Sequence, residues 1–162
     1  KSGAPAETTF VVPPGPLQVS MAIAAARLLD TDVRYITVPK LDAERPHIAS
    51  VEFVRPRSLP EFNALRKDPS ALPTEARDFL RSDRLLVRVR AFSAEGTPLV
   101  TVTLTNRFGH PLMDLPELEP VDGVAQFELP FARFARGEYK LHVRAGSGQN
   151  AVTEILTVRV IG

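Results

Sequence analysis

Three histidines, a glycine-flanked serine and a run of carboxylates are the residues of this chain whose types could do chemistry. His47, His110 and His142 show no zinc-ligand spacing, and the chain has no cysteine to complete a site. His142 alternates with Leu141 and Val143, which places it on the polar face of a strand, and His110 follows Gly109 in a turn. Ser147 stands in Gly146-Ser147-Gly148-Gln149. A nucleophile elbow needs Gly-x-Ser-x-Gly leading into a helix, and no helical pattern follows. A phosphate-cradling glycine loop is also missing. Asp114, Glu117, Glu119 and Asp122 carry the oxygens that calcium prefers. They lack EF-hand spacing and sit among prolines, so they read as a solvated loop. Asp30-Thr31-Asp32 reads as a turn. No catalytic residue, cofactor or metal is predicted, and the chain reads as a non-enzyme.

The arginines offer a different possibility. Arg84, Arg88, Arg90, Arg133, Arg136, Lys140 and Arg144 cluster in the second half of the sequence. One reading is the solvated face of strands, where cations also discourage edge pairing. The other is an interaction surface, made of Arg84, Arg88, Arg90, Lys140 and Arg144, for an anionic glycan or an acidic protein partner. Sugar recognition by stacking is disfavoured, because there is no tryptophan and the tyrosines are Tyr35 and Tyr139 alone.

Composition narrows the class. The formal net charge of +1 lacks the basic excess expected of a nucleic-acid binder. The absence of cysteine excludes a disulfide framework without fixing the compartment. The most apolar run, Met21 to Leu29, is interrupted by Arg27 and is too short to span a membrane. Lys1-Ser2-Gly3-Ala4-Pro5 has no signal-peptide core and reads as a processed end or as a cut within a longer protein. Fifteen prolines suit an all-β chain with many strand ends.

The elements that would position these residues are strands. Tyr139, Leu141 and Val143 alternate with Lys140, His142 and Arg144, while Leu156, Val158 and Val160 alternate with Thr157 and Arg159. A period of two with one apolar face predicts strands buried on one side, here the closing hairpin of an antiparallel sandwich. Near the N-terminus, Thr8 to Val12, Leu17 to Ile23 and Val33 to Val38 read as three strands. Ala24 to Leu29 reads as a helical turn or as a strand end with a loop, and its shortness favours the second.

Two stretches echo each other. Phe10-x-x-Pro13 answers Phe127-x-x-Pro130, and Gly15-x-Leu17-x-Val19-x-Met21 answers Gly137-x-Tyr139-x-Leu141-x-Val143. Both read as the last three strands of an immunoglobulin-like sandwich, and the first copy lacks the strands that should precede it. Its apolar face and edges then need cover from elsewhere.

Ile48 to Val54 is a further strand. Ser58-Leu59-Pro60-Glu61 has capping-box spacing and predicts a helix over Pro60 to Arg66. Thr74 to Phe79 suggests another helical turn. Leu85, Val87, Val89 and Ala91 then open a run of six or seven short strands. The expected fold is all-β: two immunoglobulin-like antiparallel β-sandwich units with a short helical connector. The first unit, residues 1–56, is incomplete; the connector is 57–83; the second unit is 84–162.

Several runs resemble the C-terminal region of secreted von Willebrand factor A (VWA) domain-containing proteins of Acidobacteria. The longest is Pro73-Thr74-Glu75-Ala76-Arg77-Asp78-Phe79 with Arg81 and Asp83 to Val89. Similar pieces are Leu104 to Pro116 through Asn106, Arg107, Gly109 and Pro111, and Leu129-Pro130 with Ala132, Phe134, Ala135 and Gly137 to Tyr139. The closing Val158-Arg159-Val160 and, at the other end, Phe10 to Leu17 and Leu29 to Arg34 are also similar. The metal-binding Asp-x-Ser-x-Ser motif of the VWA domain itself is not found here. The resemblance implies an extracellular or cell-surface location in an exported bacterial protein, a role in adhesion or assembly, and a natural chain that begins earlier. The expected partner is a protein, either another copy or an upstream VWA domain. The sharper expectation is self-assembly by β-strand complementation; the alternative is a ligand-binding accessory domain.

Overall fold

The computed structural model describes residues 10–25, 28–38, 40 and 45–162, with the side chains of 23–29 and 116 excepted. Strands dominate, so the chain is all-β, with a single short α-helix among the described residues. It divides into two compact units, residues 1–42 and 43–162.

The first unit is a long hairpin. Strand β1 (Gly15–Ala25) pairs antiparallel with β2 (Leu28–Val38), from Gly15 opposite Val38 to Ala25 opposite Leu28. Leu17, Val19 and Met21 share a face with Ile36, Arg34 and Asp32, while Gln18 and Ser20 share the other with Tyr35 and Val33. The ladder runs to Ala25, through residues read as a strand end. The expected strand at Thr8 to Val12 begins outside the described residues, and Phe10 to Val12 are not in a strand. The echo holds at the level of the hairpin: Gly15 and Gly137 both open their strands at positive φ, 136° and 154°, where a side chain would be strained. It does not extend to a sandwich, because the described part of this unit forms a two-stranded sheet.

The second unit holds two sheets. One has the order β3 (His47–Val54), β5 (Arg84–Phe92), β8 (Val124–Pro130). The other has the order β4 (Asp78–Leu80), β10 (Val152–Ile161), β9 (Gly137–Ala145), β6 (Val100–Asn106), β7 (Pro111–Leu118). Alternate residues of both sheets meet in a common core, including Val87 and Phe127 from the first and Leu104, Leu141 and Val158 from the second. These are the apolar positions of the period-two pattern, as expected for sheets buried on one face. Asp122 and Gly123 both take positive φ, 50° and 79°, in the two-residue turn between Val121 and Val124. That conformation suits the Asp-Gly pair and sets the register of the strand that follows.

The expected boundaries need correction. His47–Val54 pairs with β5 in the second unit and does not belong with the N-terminal strands. Residues 57–83 lie between two strands of one sheet and are not an interdomain connector. Helix α1 (Leu59–Leu65) does form, and the Ser58 hydroxyl accepts from the Glu61 amide at 3.3 Å. The Glu61 carboxylate reaches back one residue further than a capping box requires, accepting from the Arg57 amide at 2.6 Å. Phe62 buries against Val54 and Leu86, so the helix covers the outer face of the three-stranded sheet.

The turn expected at Thr74 to Phe79 is not helical; β4 pairs parallel with β10 instead. Phe79 enters the core there, stacked on Phe131 at 5.2 Å and edge-on to Phe53 at 6.1 Å. On the outside, Arg159 grips Asp78 with two bonds, Nε to Oδ1 at 2.8 Å and Nη2 to Oδ2 at 2.6 Å. The hydrogen bonds and charge of Arg159 hold the Asp78 carboxyl below its ordinary 3.8. A depressed carboxyl contributes stability above pH 3.8 and loses it as pH falls through the lower folded-state value. An NMR titration is expected to place the Asp78 midpoint below 3.8, and Arg159→Gln should move it back up. An unmoved midpoint in the variant would contradict this pairing.

Candidate functional site

The five cations predicted to share a surface divide between two sheets. Arg84, Arg88 and Arg90 lie on β5, and Lys140 and Arg144 lie on β9. All five alternate with core residues and so point outward, but from sheets whose inner faces meet. The outward faces therefore look in opposite directions, and no single basic patch exists. The alternation along each strand was legible in the sequence; the assignment of each strand to a sheet was not.

The β5 arginines are also individually engaged. Arg84 Nε lies 3.1 Å from Glu128, and Arg90 Nε lies 3.5 Å from Glu52, both across the sheet from neighbouring strands. Arg88 is only 2% exposed. It lies under α1, and its Nη2 donates to the carbonyls of Leu65 and Asp68. Each carbonyl also accepts a backbone amide, Asp68 to Leu65 at 3.1 Å and Ala71 to Asp68 at 3.3 Å, and the cation adds a second donor while complementing the dipole at the end of α1. Arg88 therefore latches the helix onto the sheet. Its Nε and Nη1 have no protein acceptor, and Oε1 of Gln126, its cross-strand partner, has no protein donor. Asp68 is held below its ordinary value chiefly by the hydroxyl and amide of Ser70, with Arg88 adding to the effect.

The other sheet carries a more open surface. Thr101, Thr103 and Thr105 of β6 lie beside Arg144, His142 and Lys140 of β9 in register. With Thr153 of β10, all of these except Lys140 line a shallow depression of about 350 Å³. His142 Nε2 sits 3.1 Å from the Thr105 hydroxyl, and Arg144 donates to the Gly148 carbonyl at 2.6 Å. This array of hydroxyls and cations was missed as a unit; the Thr-x-Thr-x-Thr run is the signal that could have found it.

The remaining candidates stay apart. His47 stacks on Phe92 at 5.5 Å, and His110 is exposed in the turn after β6. Asp114 and Glu117 lie on β7, with Glu119 and Asp122 beyond its end. Among the described residues no group of three His, Cys, Asp or Glu side chains could hold a metal ion. Likewise no described helix is long and apolar enough to cross a membrane. Tyr139, expected in the core, is buried there, and its hydroxyl donates to the Ala135 carbonyl at 2.7 Å.

The surface that stands apart is the hairpin. Both strands of β1–β2 have an unpaired edge among the described residues. Tyr35 is 77% exposed, Ile36 49% and Met21 47%. A two-stranded ribbon with apolar side chains in water on both faces is marginal by itself.

No protein-family model matches the chain, and no curated protein is significantly similar to it.

Proposed function

We propose that this chain is a non-enzymatic structural or adhesion module of an exported bacterial protein, which self-assembles through its N-terminal hairpin by strand addition. One observation carries the reading: eleven paired residues in each strand leave two edges open and expose Met21, Tyr35 and Ile36. Strand addition satisfies both needs together, because main-chain bonds fill the edge while alternate side chains find cover.

The second unit serves as the carrier in this reading, and an immunoglobulin-like topology fits it. Support comes from the two core-sharing sheets and from Tyr139. A tyrosine near the start of the next-to-last strand, bonded to a carbonyl four residues upstream, is the corner found in such sandwiches. The extracellular or cell-surface setting, and an upstream VWA domain as a further partner, rest on the resemblance described above.

Light scattering across protein concentration tests the proposal. The mass is expected to rise above the 17.8 kDa of one chain, and Met21→Lys combined with Ile36→Lys should shift that rise to higher concentration. A mass of 17.8 kDa at every concentration would show the reading to be wrong.

The depression on the five-stranded sheet favours a second reading, an accessory domain that holds an anionic glycan or acidic protein. Arg144, His142 and three threonine hydroxyls would meet carboxylate or sulfate groups there. An array of sulfated and carboxylated glycans tests it: binding lost in Arg144→Ala supports the reading, and binding to none of them removes it.

A further inference from the structure

The second unit has four sheet edges, and three of them carry features that block pairing. Strand β4 is three residues long. Strand β3 has an irregularity between Ile48 and Ser50. Strand β7 has two, and it also carries Pro111, Pro116, Asp114 and Glu117. Short length, bulges, prolines and charges are the means by which natural sheets close their edges to other chains. Strand β8 has none of them, and its free edge is open beyond Val124, whose amide and carbonyl bond Val121 across the turn. It pairs with β5 without a break from Val124 to Pro130, holds proline only at its last position, and has one charged side chain, Glu128, which Arg84 engages.

The hairpin shows the same contrast. Strand β2 contains Asp30, Asp32 and Arg34, whereas β1 has no charge in its eleven residues and its one proline is second. Each unit therefore offers one unguarded edge, β1 in the first and β8 in the second. Their side-chain patterns also match. Core-facing Ala125, Phe127 and Leu129 alternate with outward Gln126 and Glu128 on β8. On β1, Leu17, Val19 and Met21 alternate with Gln18 and Ser20. Added at the edge of β8, β1 can extend the apolar face with its apolar set and the polar face with its polar set, as the period of two requires.

We propose that β1 of one copy adds to the free edge of β8 in a second copy. This rests on the self-assembly reading and names its donor and its acceptor. Because each copy carries both edges, the contact is head-to-tail, so repeated addition builds open chains or closed rings.

Disulfide trapping in this cysteine-free chain tests the pairing. Gln126→Cys protein is mixed with Gln18→Cys or Ser20→Cys protein and oxidised, with melting curves used to check that each variant stays folded. Disulfides need Cα atoms within about 7 Å, so a neighbouring strand in register should give on the order of tenfold more crosslinked dimer than pairing either hairpin variant with Asp114→Cys on β7. That excess supports the proposal. Equal trapping at β7, or trapping only between hairpins, in a protein whose mass rises with concentration would overturn the acceptor and leave self-assembly standing. A chain carrying both Ser20→Cys and Gln126→Cys that crosslinks only within itself would overturn the second copy as donor. No crosslink in a protein that stays at the single-chain mass would overturn both readings.

Discussion

Phe79→Ala is expected to lower the unfolding free energy by about 3–5 kcal/mol, the range for deleting a buried aromatic ring. Phe79 has no exposed surface and lies between Phe53 of the three-stranded sheet and Phe131 just beyond β8. Its loss leaves a hole lined by rings that rotamer changes cannot refill, and it removes the only buried side chain of β4. Urea denaturation of the two proteins is the measurement. A lower midpoint at unchanged slope is the expected outcome, since the slope follows the surface exposed on unfolding. Leu80→Ala, one residue along and 44% exposed, should cost far less. Similar costs at both positions would mean that β4 contributes mainly by its backbone and not by filling the core.

Arg88→Ala is the second large effect. The substitution removes one of two donors from each of the Leu65 and Asp68 carbonyls, whose other donors are the Asp68 and Ala71 amides, and empties the space beneath α1. Hydrogen bonds to a charged group contribute about 1.5–3 kcal/mol each, and part of that is offset because the guanidinium sits where its Nε and Nη1 lack acceptors, so a loss of about 2–4 kcal/mol is expected. Arg88→Met separates packing from bonding. It keeps most of the volume and removes a buried cation whose Nε and Nη1 have no acceptor. Replacing a buried charge by an apolar side chain of similar size is often close to neutral. The methionine variant should therefore retain at least half of the stability that alanine loses. Faster amide exchange of Phe62 and Leu65 in Arg88→Ala, with the core strands unchanged, would locate the effect at the latch. Equal loss in both variants would show that the guanidinium bonds outweigh the packing of its stem.

Both residues mark where the sequence stopped being legible. Alternation gave the strands of the second unit because each is buried on one face, and period two is what such burial selects. Phe79 escaped because a three-residue strand is too short to show a period. Its partner Val160 lies about eighty residues away, in a parallel ladder that no local pattern announces. Arg88 escaped because alternation assigns a residue to the outer face without saying whether that face meets water. The clue was Leu86, an apolar residue among the outward positions of β5, which implied a cover. His47–Val54 was legible as a strand, but a strand's own side chains do not name its neighbour, so it was assigned to the wrong unit. The five-cation surface failed for the same reason.

The hairpin was partly legible. Leu17 to Ile23 and Val33 to Val38 alternate and were found, whereas Ala24 to Leu29 has no alternation to extend them. Among the described residues these strands pair only with each other, and the proposed assembly supplies them with further partners. Hydrogen exchange measured at increasing protein concentration tests that most directly. Peptides from Gly15 to Val38 are expected to gain protection as concentration rises, while the core strands β5 and β9 stay unchanged. Hairpin protection that is the same at every concentration would contradict assembly through this element.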